Sequence, residues 1–299
     1  MSDRENLTYV YAVVPDTSRL RTALEAVRGV SGAAVSLLGE DAPYEAAPSE
    51  AAPTEAAERP DAVAFVISRV AAHEFDERTL KSRFEDLEWL EDVARTHHDV
   101  VQSIARQDTV LPLRLATLYQ DDQRAREALA AQRHVFAERL ALLRDHSEWG
   151  VKLYVGSPGP QAPEDRGAGG PGNTGTLSPG KAYLQRRRAQ HSAREDHYRN
   201  AQEAARRIDA LVSRFRTHRV RHPAQQGALA GPEENVLNDA YLVPDDRTES
   251  FRAALATVAG DLDGVRVEVT GPWAPYSFAM PPPPPESPQE DAVRDGAAR

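Results

Sequence analysis

The sequence predicts an α+β protein in which two similar mixed units follow one another. One observation is the order of predicted elements in residues 1–120, β-α-β-β-α-β, which is the order of a split βαβ unit. A comparable cycle begins near residue 151, and two long stretches repeat apolar residues every three or four positions. We therefore predict two ferredoxin-like (split βαβ) domains with long amphipathic, coiled-coil-like helices.

The first unit alternates strand-forming and helix-forming segments. Pro15 ends the first strand, and the residues after it offer N-caps for a short helix that closes near Gly29. Pro112 indicates an edge strand or a bulge in the last strand. The predicted elements of this unit are strands at 7–14, 33–38, 62–70 and 109–119, the short helix after residue 18 and a long helix from about 75 to 106.

The second unit follows a connecting helix with one apolar side. Its strand between the long helix and residue 236 has only a weak signal, at 224–230. The predicted elements are the connecting helix 121–146, strands at 151–155, 236–243 and 265–270, a long helix from 182 to about 219 and a helix at 248–259.

Three segments lack the periodicity of regular structure, and they set the predicted domain limits. Residues 39–60 are rich in Ala, Glu and Pro and predict a flexible loop, whereas the Gly/Pro-rich residues 156–180 predict a disordered insertion. Residues 281–299 open with five prolines and predict an extended, disordered tail. The resulting division is an N-terminal domain at 1–120, a connecting helix plus C-terminal domain at 121–280, and the tail.

The two units also share local text. Residues 11–16 read YAVVPD and residues 241–246 read YLVPDD, and each is followed by a short amphipathic segment. This match indicates either an internal repeat or a turn solution that two strands share, with a slight preference for the shared turn.

Composition excludes several classes of function. The chain has no cysteine, which rules out disulfides, thiolate catalysis and cysteine metal sites. No apolar run approaches the ~20 residues of a membrane helix, and the first ten residues lack the features of a signal peptide. We expect a soluble, cytoplasmic protein that does not enter membranes.

Charge is distributed unevenly along the chain. Residues 181–222 contain twelve Lys/Arg and four Asp/Glu, a net +8, which leaves −18 for the remainder of a chain whose net charge is −10. Arginines along a helix are typical of nucleic-acid binding, but they are also typical of a solvated helix face. A third interpretation is that this helix docks on the acidic stretch at 74–92, which carries a net −5. The acidity of the whole chain and the few aromatic residues on this helix argue against nucleic-acid binding.

The motifs that suggest catalysis or metal binding are incomplete. His97 and His98 are adjacent, so they point about 100° apart on a helix and do not share a metal; His97 falls on the apolar stripe, as a core histidine does. His218 and His222 have i, i+4 spacing, but they lie among arginines that repel a cation. The glycines at 167–175 lack the Lys-Ser/Thr pair of a phosphate loop. The sequence therefore predicts no catalytic or metal site, no cofactor and no small-molecule substrate.

The stretch at 264–278, GVRVEVTGPWAPYSF, combines a strand with two rigid aromatic residues. Three valines alternate with polar residues, and Pro272 and Pro275 then stop the ladder. Trp273 and Tyr276 are thereby presented at the end of a strand. They are either a lid on the core or a fixed anchor for a protein partner.

This stretch, together with five other segments in order, resembles the GvpL/GvpF family of gas vesicle proteins. The other segments are YVYAVV at 9–14, VLPLR at 110–114, WGVKLYV at 149–155, KAYL at 181–184 and NDAYLVP at 238–244. In the family, the mid-chain motif usually continues R-F-G-T, but this chain has Arg114-Leu115-Ala116-Thr117. The loss of that glycine weakens any role that needs a close backbone approach there.

The resemblance implies a non-enzymatic accessory protein of gas vesicle formation. Its implied partners are the hydrophobic gas vesicle shell protein and other accessory proteins, and its implied location is the gas vesicle or the cytoplasm. The candidate partner-binding residues are Trp273, Tyr276, Arg114, Arg187 and Arg194. Two alternatives stay open: a small-ligand-binding or enzymatic pair of ferredoxin-like domains with a pocket around Arg114 and His97, and a nucleic-acid binder acting through residues 186–221.

Overall fold

The structure is a computed structural model that describes residues 6–39, 62–75, 79, 83, 85–156, 179–215, 217–225 and 233–279. In chain order, the first half contains β1 (Asn6–Pro15), α1 (Ser18–Leu24), β2 (Val35–Gly39), β3 (Val63–Ala71), α2 (Ala72–Phe75), α3 (Leu87–Ala105) and β4 (Leu111–Tyr119). The second half contains α4 (Asp122–Leu143), β5 (His146–Val155), α5 (Pro179–Val212), β6 (His218–Arg221), β7 (Glu234–Pro244), α6 (Thr248–Ala256), β8 (Val265–Trp273) and α7 (Tyr276–Ala279).

The first four strands form one antiparallel sheet in the order β2-β3-β1-β4. The predicted α+β class is confirmed. β4 is an edge strand, as Pro112 predicts, and it contains a wide bulge. Val10 pairs with Thr117 and Ala12 pairs with Pro112, so four residues of β4 stand opposite Tyr11 alone.

The second sheet repeats this arrangement with the order β6-β7-β5-β8, again antiparallel. β5 and β7 are paired along their whole lengths, from His146–Pro244 to Val155–Glu234. β8 pairs with β5 and forms the other edge of the sheet. Each sheet therefore has two long central strands, β3 and β1 in the first and β7 and β5 in the second.

Three apolar clusters hold the layers together. The first lies between one face of the first sheet and helices α1 and α3. The second lies on the other face of that sheet, where α4 contributes Leu129 and Phe136, and it also contains Ala240 and Leu242 of the second sheet. The third lies between the second sheet and helices α5 and α6. The middle cluster thus joins the two halves, and burial of apolar surface stabilises their association.

The predicted limits of two helices were wrong. The helix predicted at 75–106 is interrupted, because Asp86 has an extended backbone and its carboxylate accepts a hydrogen bond from Trp89 N at 3.2 Å as the N-cap of α3. The helix predicted to reach about residue 219 ends at Val212, and His218–Arg221 is an edge strand instead. This strand takes the place that the prediction gave to residues 224–230, of which 226–230 lie outside the described residues.

The apolar stripe of α5 packs on a sheet. Ala201, Ala204, Ile208 and Val212 are buried against β5, β7 and α6. Among the described residues, the ion pairs of α5 are with acids of the same half of the chain: Arg207, for example, contacts Glu203 and Asp261.

The matching texts at 11–16 and 241–246 occupy different places in the two halves. The first ends β1 and leads into α1, whereas the second ends β7 and leads into α6. In each, the aspartate after the proline donates its backbone N–H to the carbonyl just before the neighbouring antiparallel strand, Asp16 to Ala62 and Asp245 to Asp145, both at 2.9 Å. This shared hydrogen bond favours a turn solution that two strands share, which stays a prediction beside the internal repeat.

The predicted loop, insertion and tail fall on residues 40–60, 157–178 and 281–299, which lie outside the described residues; Gly39 ends β2, and Pro179–Gly180 begin α5. The division into two domains at residue 120 stays a prediction. Among the described residues, no helix combines the length and the apolar character that crossing a membrane requires.

Candidate protein-interaction surface

The last strand continues beyond the point where its prolines were expected to end it. Gly150 pairs with Thr270 and Glu148 pairs with Trp273, so Gly271 and Pro272 form a bulge and the ladder then resumes. The Gly271-Pro272 peptide bond is cis. Gly271 has φ +135°, and a Cβ there would lie 2.8 Å from the carbonyl oxygen of Glu148, so only glycine fits. The bulge fixes the direction in which Trp273 points.

The two aromatic residues after this bulge are partly exposed on one surface. Trp273 is 42% exposed and Tyr276, the first residue of α7, is 36% exposed. His98 of α3 contacts both rings, with centroid distances of 6.0 Å to Trp273 and 6.1 Å to Tyr276, and it is stacked on Tyr276. The three rings together form a half-buried aromatic surface, which we call the aromatic anchor.

A glutamine of α3 holds the backbone on either side of Trp273. Gln102 Nε2 donates to the carbonyl of Pro272 at 3.2 Å, and Gln102 Oε1 accepts from Ala274 N at 3.0 Å. The side-chain amide thus acts as a neighbouring strand would. Since Ala274 is fully buried, this N–H would otherwise lack a partner.

A buried carboxylate fixes the following helix. Glu148 of β5 accepts from Ser277 N at 2.8 Å and from Ser277 Oγ at 2.6 Å. His222 Nε2 lies 2.9 Å from the same Oγ. When the Ser277 hydroxyl donates to the Glu148 carboxylate, its oxygen is free to accept a hydrogen bond from His222 Nε2–H. Burial raises the pKa of Glu148, and the bonds from Ser277 and the charge of His222 oppose that rise. The serine lies between the acid and the histidine, so the order differs from that of a hydrolase triad.

Apolar residues of the same segment enter two cores. Ala274 belongs to the cluster under α3, and Phe278 belongs to the cluster that α4 shares with both sheets. The backbone of residues 271–279 is therefore fixed on both sides, while Trp273 and Tyr276 project between the buried positions.

The bulge of β4 lies next to this segment, because α7 packs on β4. Arg114 and Leu115 are exposed there. Ala116, which stands where the family motif has glycine, has φ +58°, a left-handed conformation that favours glycine. Its backbone N–H donates to Tyr9 Oη at 3.2 Å.

Beneath this bulge, a histidine is buried in the core. His97 is 3% exposed, and its Nδ1 lies 3.0 Å from Tyr9 Oη. Burial lowers the pKa of His97 to about 4, despite the Leu113 carbonyl, which acts in the opposite direction. The sequence interpretation of His97 as a core histidine is confirmed, and a ring so deeply buried does not line an open pocket with Arg114.

A polar cleft of about 340 Å³ opens beside Trp273, between α3 and the turn that precedes β5. It brings cationic and anionic side chains into the same space. Its charged and ionisable lining residues are Arg106, Asp108, Asp145, His146 and Asp245.

The remaining two predicted residues lie elsewhere. Arg187 and Arg194 are exposed on α5, and they line a groove of about 420 Å³ beside Val155 and Gly156. The structure therefore brings Trp273 and Tyr276 together, places Arg114 on the strand against which α7 packs, and puts the two arginines on a different surface.

The helical face that would pair His218 with His222 does not exist. His218 begins β6, and His222 follows it and contacts Ser277. In the part of the chain that the structure describes, no cluster of three or more His, Asp or Glu is arranged to hold a metal.

Sequence reasoning missed the residues that fix the anchor: Gln102, Glu148 and His222. Gln102 is a polar residue on an amphipathic helix, and no local pattern distinguishes it from a solvated one. Glu148 lies directly before the WGVKLYV segment. It is buried, at 8% exposure, and only the structure reveals this burial.

Comparison with known sequences agrees with the motifs. The family model described as "Gas vesicle synthesis protein GvpL/GvpF" matches residues 7–280. "Gas vesicle protein L" of Streptomyces sp. (strain CB03234) is 40% identical over 220 residues, which are 73% of this chain and 80% of that protein.

Comparison with solved structures supports the fold. The gas vesicle protein GvpF from Anabaena sp. PCC7120 aligns over 93% of this chain and 97% of its own, with a TM-score of 0.58 and 16% identity. GvpF from Microcystis aeruginosa aligns over 92% of this chain and 99% of its own, with a TM-score of 0.54 and 16% identity. Since one family model spans nearly the whole described chain and a relative matches most of its length, this chain belongs to the GvpL/GvpF family of gas vesicle proteins.

Proposed function

We propose that this protein is a non-enzymatic accessory factor in gas vesicle assembly, which binds the hydrophobic shell protein and other accessory proteins in the cytoplasm and at the vesicle. The observation that carries the proposal is the aromatic anchor, in which Trp273 and Tyr276 are partly exposed on a backbone that buried contacts fix. Family membership supports the gas vesicle role, and the anchor supports the binding mode.

Aromatic residues on a rigid frame suit the capture of an apolar surface. They supply a large contact area and lose little conformational freedom on binding, because the neighbouring backbone is already ordered. A shell subunit with an exposed apolar face aggregates unless a partner covers that face. The anchor would cover part of it, with Arg114 and Leu115 of the β4 bulge at its side.

We infer further that each half has the ferredoxin-like arrangement. The strand orders β2-β3-β1-β4 and β6-β7-β5-β8 support this, since in both halves the third strand lies between the first and the second. The fold itself hosts many functions, so it does not carry the functional proposal.

The test is co-expression of the full chain, affinity-tagged, with the major shell protein of a gas vesicle operon. The measured quantity is the amount of shell protein that stays in the soluble fraction and is retained with the tag. The variant is Trp273→Ala/Tyr276→Ala. A matched control, Leu87→Ala/Val135→Ala, removes two apolar side chains that are 76% and 48% exposed elsewhere.

We expect the wild type and the control to retain shell protein and the anchor variant to lose it, with circular dichroism showing that all three are folded. Equal retention by the anchor variant would keep shell binding and reject the anchor. A folded wild type that retains no shell protein would reject shell binding altogether.

A further inference from the structure

A long part of α5 is exposed to solvent and does not pack on the rest of the described protein. The side chains of residues 183–192 are all exposed, and burial begins only further along the helix, at Ala201. Ten residues of helix extend about 15 Å. Most helices of globular proteins gain their stability by packing one face, so an uncovered length of this size calls for a partner.

This exposed length differs from the packed length in its charges. Between residues 183 and 194 there are four arginines and no Asp or Glu. Among the described residues, Arg186, Arg187 and Arg188 make no ion pair, whereas Arg199, Arg206 and Arg207 pair with Asp196, Glu203 and Asp261. The arginines of the packed half are thus paired within this chain, whereas three of the four arginines of the exposed half have no acidic partner among the described residues.

The same exposed length carries apolar side chains. Tyr183 is 62% exposed and Leu184 is 54% exposed. At the helical repeat, these two residues and Arg187, His191 and Arg194 fall within an arc of about 100°. One face therefore presents aromatic, aliphatic and guanidinium groups together.

At its inner end, this face opens onto the 420 Å³ groove. The helix contributes Arg187, Gln190, His191, Arg194 and Tyr198, and the opposite wall is Val155, Gly156 and Glu234. Arg194 lies over the ring of Tyr198 at 5.7 Å and 3.9 Å from Glu234. Glu234 also accepts a hydrogen bond from Tyr198, so the inner end of the groove is already ordered and contains a negative charge.

We propose that this face of α5, residues 183–194, is a docking surface for an acidic amphipathic helix of a partner protein. Guanidinium groups bind carboxylates through paired hydrogen bonds, and Tyr183 and Leu184 need apolar side chains opposite them. A helix that presents Asp/Glu and Leu on one face satisfies both. Nucleic acid satisfies only the arginines and leaves Tyr183 and Leu184 without apolar partners.

This docking surface is separate from the aromatic anchor. Val265, at the start of β8, pairs with Val155 at the groove, whereas Trp273 ends the same strand. Nine residues of strand place the two surfaces about 25 Å apart. The protein would thus bind two partners at once, one apolar and one acidic.

The test is fluorescence anisotropy of the full chain with a labelled 20-residue peptide whose Glu and Leu residues share one helical face. A peptide of the same composition with scrambled order controls for charge, and a labelled 20-base-pair DNA duplex tests a polyanion. The protein variants are Arg187→Gln/Arg194→Gln and Tyr183→Ala/Leu184→Ala. Arg19→Gln/Arg199→Gln makes the same charge change at exposed positions outside the proposed face.

We expect the amphipathic peptide to bind the wild type and the control, and the variant that lacks Arg187 and Arg194 to bind about tenfold more weakly, since a charged hydrogen bond contributes about 1.5 kcal/mol. The Tyr183→Ala/Leu184→Ala variant should also lose affinity. Equal binding of the scrambled peptide, no effect of the tyrosine–leucine variant, or tighter binding of DNA would each overturn the proposal.

Discussion

The buried His97 predicts a specific dependence of stability on pH. Its pKa is lowered from 6.5 to about 4, because burial at 3% exposure disfavours the charged ring. The folded state therefore keeps the ring neutral, while the unfolded chain binds a proton once the pH falls below 6.5. The contribution is fully present above pH 6.5 and is lost as the pH falls toward 4. Lowering the pKa of His97 from 6.5 to about 4 corresponds to about 3 kcal/mol of stability, since each pH unit is about 1.4 kcal/mol.

The perturbation that isolates this contribution is His97→Asn. Asparagine retains an acceptor for Tyr9 Oη but does not titrate. The assay is urea unfolding of wild type and variant between pH 7 and pH 4.5, followed by circular dichroism. Other titrating groups, including Glu148, are common to both proteins and cancel in the difference.

The variant should be less stable than the wild type at pH 7, because it leaves a cavity. This difference should shrink by about 2 to 3 kcal/mol on acidification to pH 4.5. Tyr9→Phe is the matched control: it removes the hydrogen bond but keeps the titrating ring, so its acid dependence should stay like that of the wild type. A difference between His97→Asn and wild type that is constant with pH would refute the reasoning.

Three further predictions concern the two bulges, each measured as a free energy of unfolding. Ala116→Gly should stabilise the protein by about 0.5 kcal/mol, because glycine adopts the left-handed conformation at φ +58° without strain. This gain exceeds the conformational entropy that glycine adds to the unfolded chain. The control Ala130→Gly, at an exposed position of α4, should instead destabilise the protein by about 1 kcal/mol. Gln102→Leu should cost about 1 to 3 kcal/mol by leaving the N–H of Ala274 unpaired. Gln102→Glu, which keeps that acceptor, should cost less. Gly271→Ala should cost more than about 2 kcal/mol, because its Cβ would lie 2.8 Å from a backbone carbonyl of β5; an unchanged stability would contradict the bulge geometry.

The central strands could be predicted because their information is local. Residues 7–14 and 236–243 lie inside observed strands, and the prediction at 62–70 matches the strand Val63–Ala71 to within one residue at each end; all three are rich in Val, Leu, Tyr or Phe. The edge strand His218–Arg221 could not be predicted in the same way. It has a single apolar residue, Val220, and it follows a long run of helix-forming arginine-rich sequence. Its conformation comes from pairing with β7, which lies outside any local window.

In the aromatic anchor, too, some features follow from neighbouring residues and others depend on residues far away in the sequence. Valine alternation and two prolines locate Trp273 and Tyr276 at the end of a strand, and the structure places them there. Their exposure and orientation depend on Gln102, which is 172 residues from Ala274, and on Glu148, which is 129 residues from Ser277. A polar side chain that binds backbone across such separations leaves no periodic signal. The candidate partner-binding residues Trp273 and Tyr276 are therefore readable from this sequence, whereas the residues that hold them in position become visible only in the folded chain.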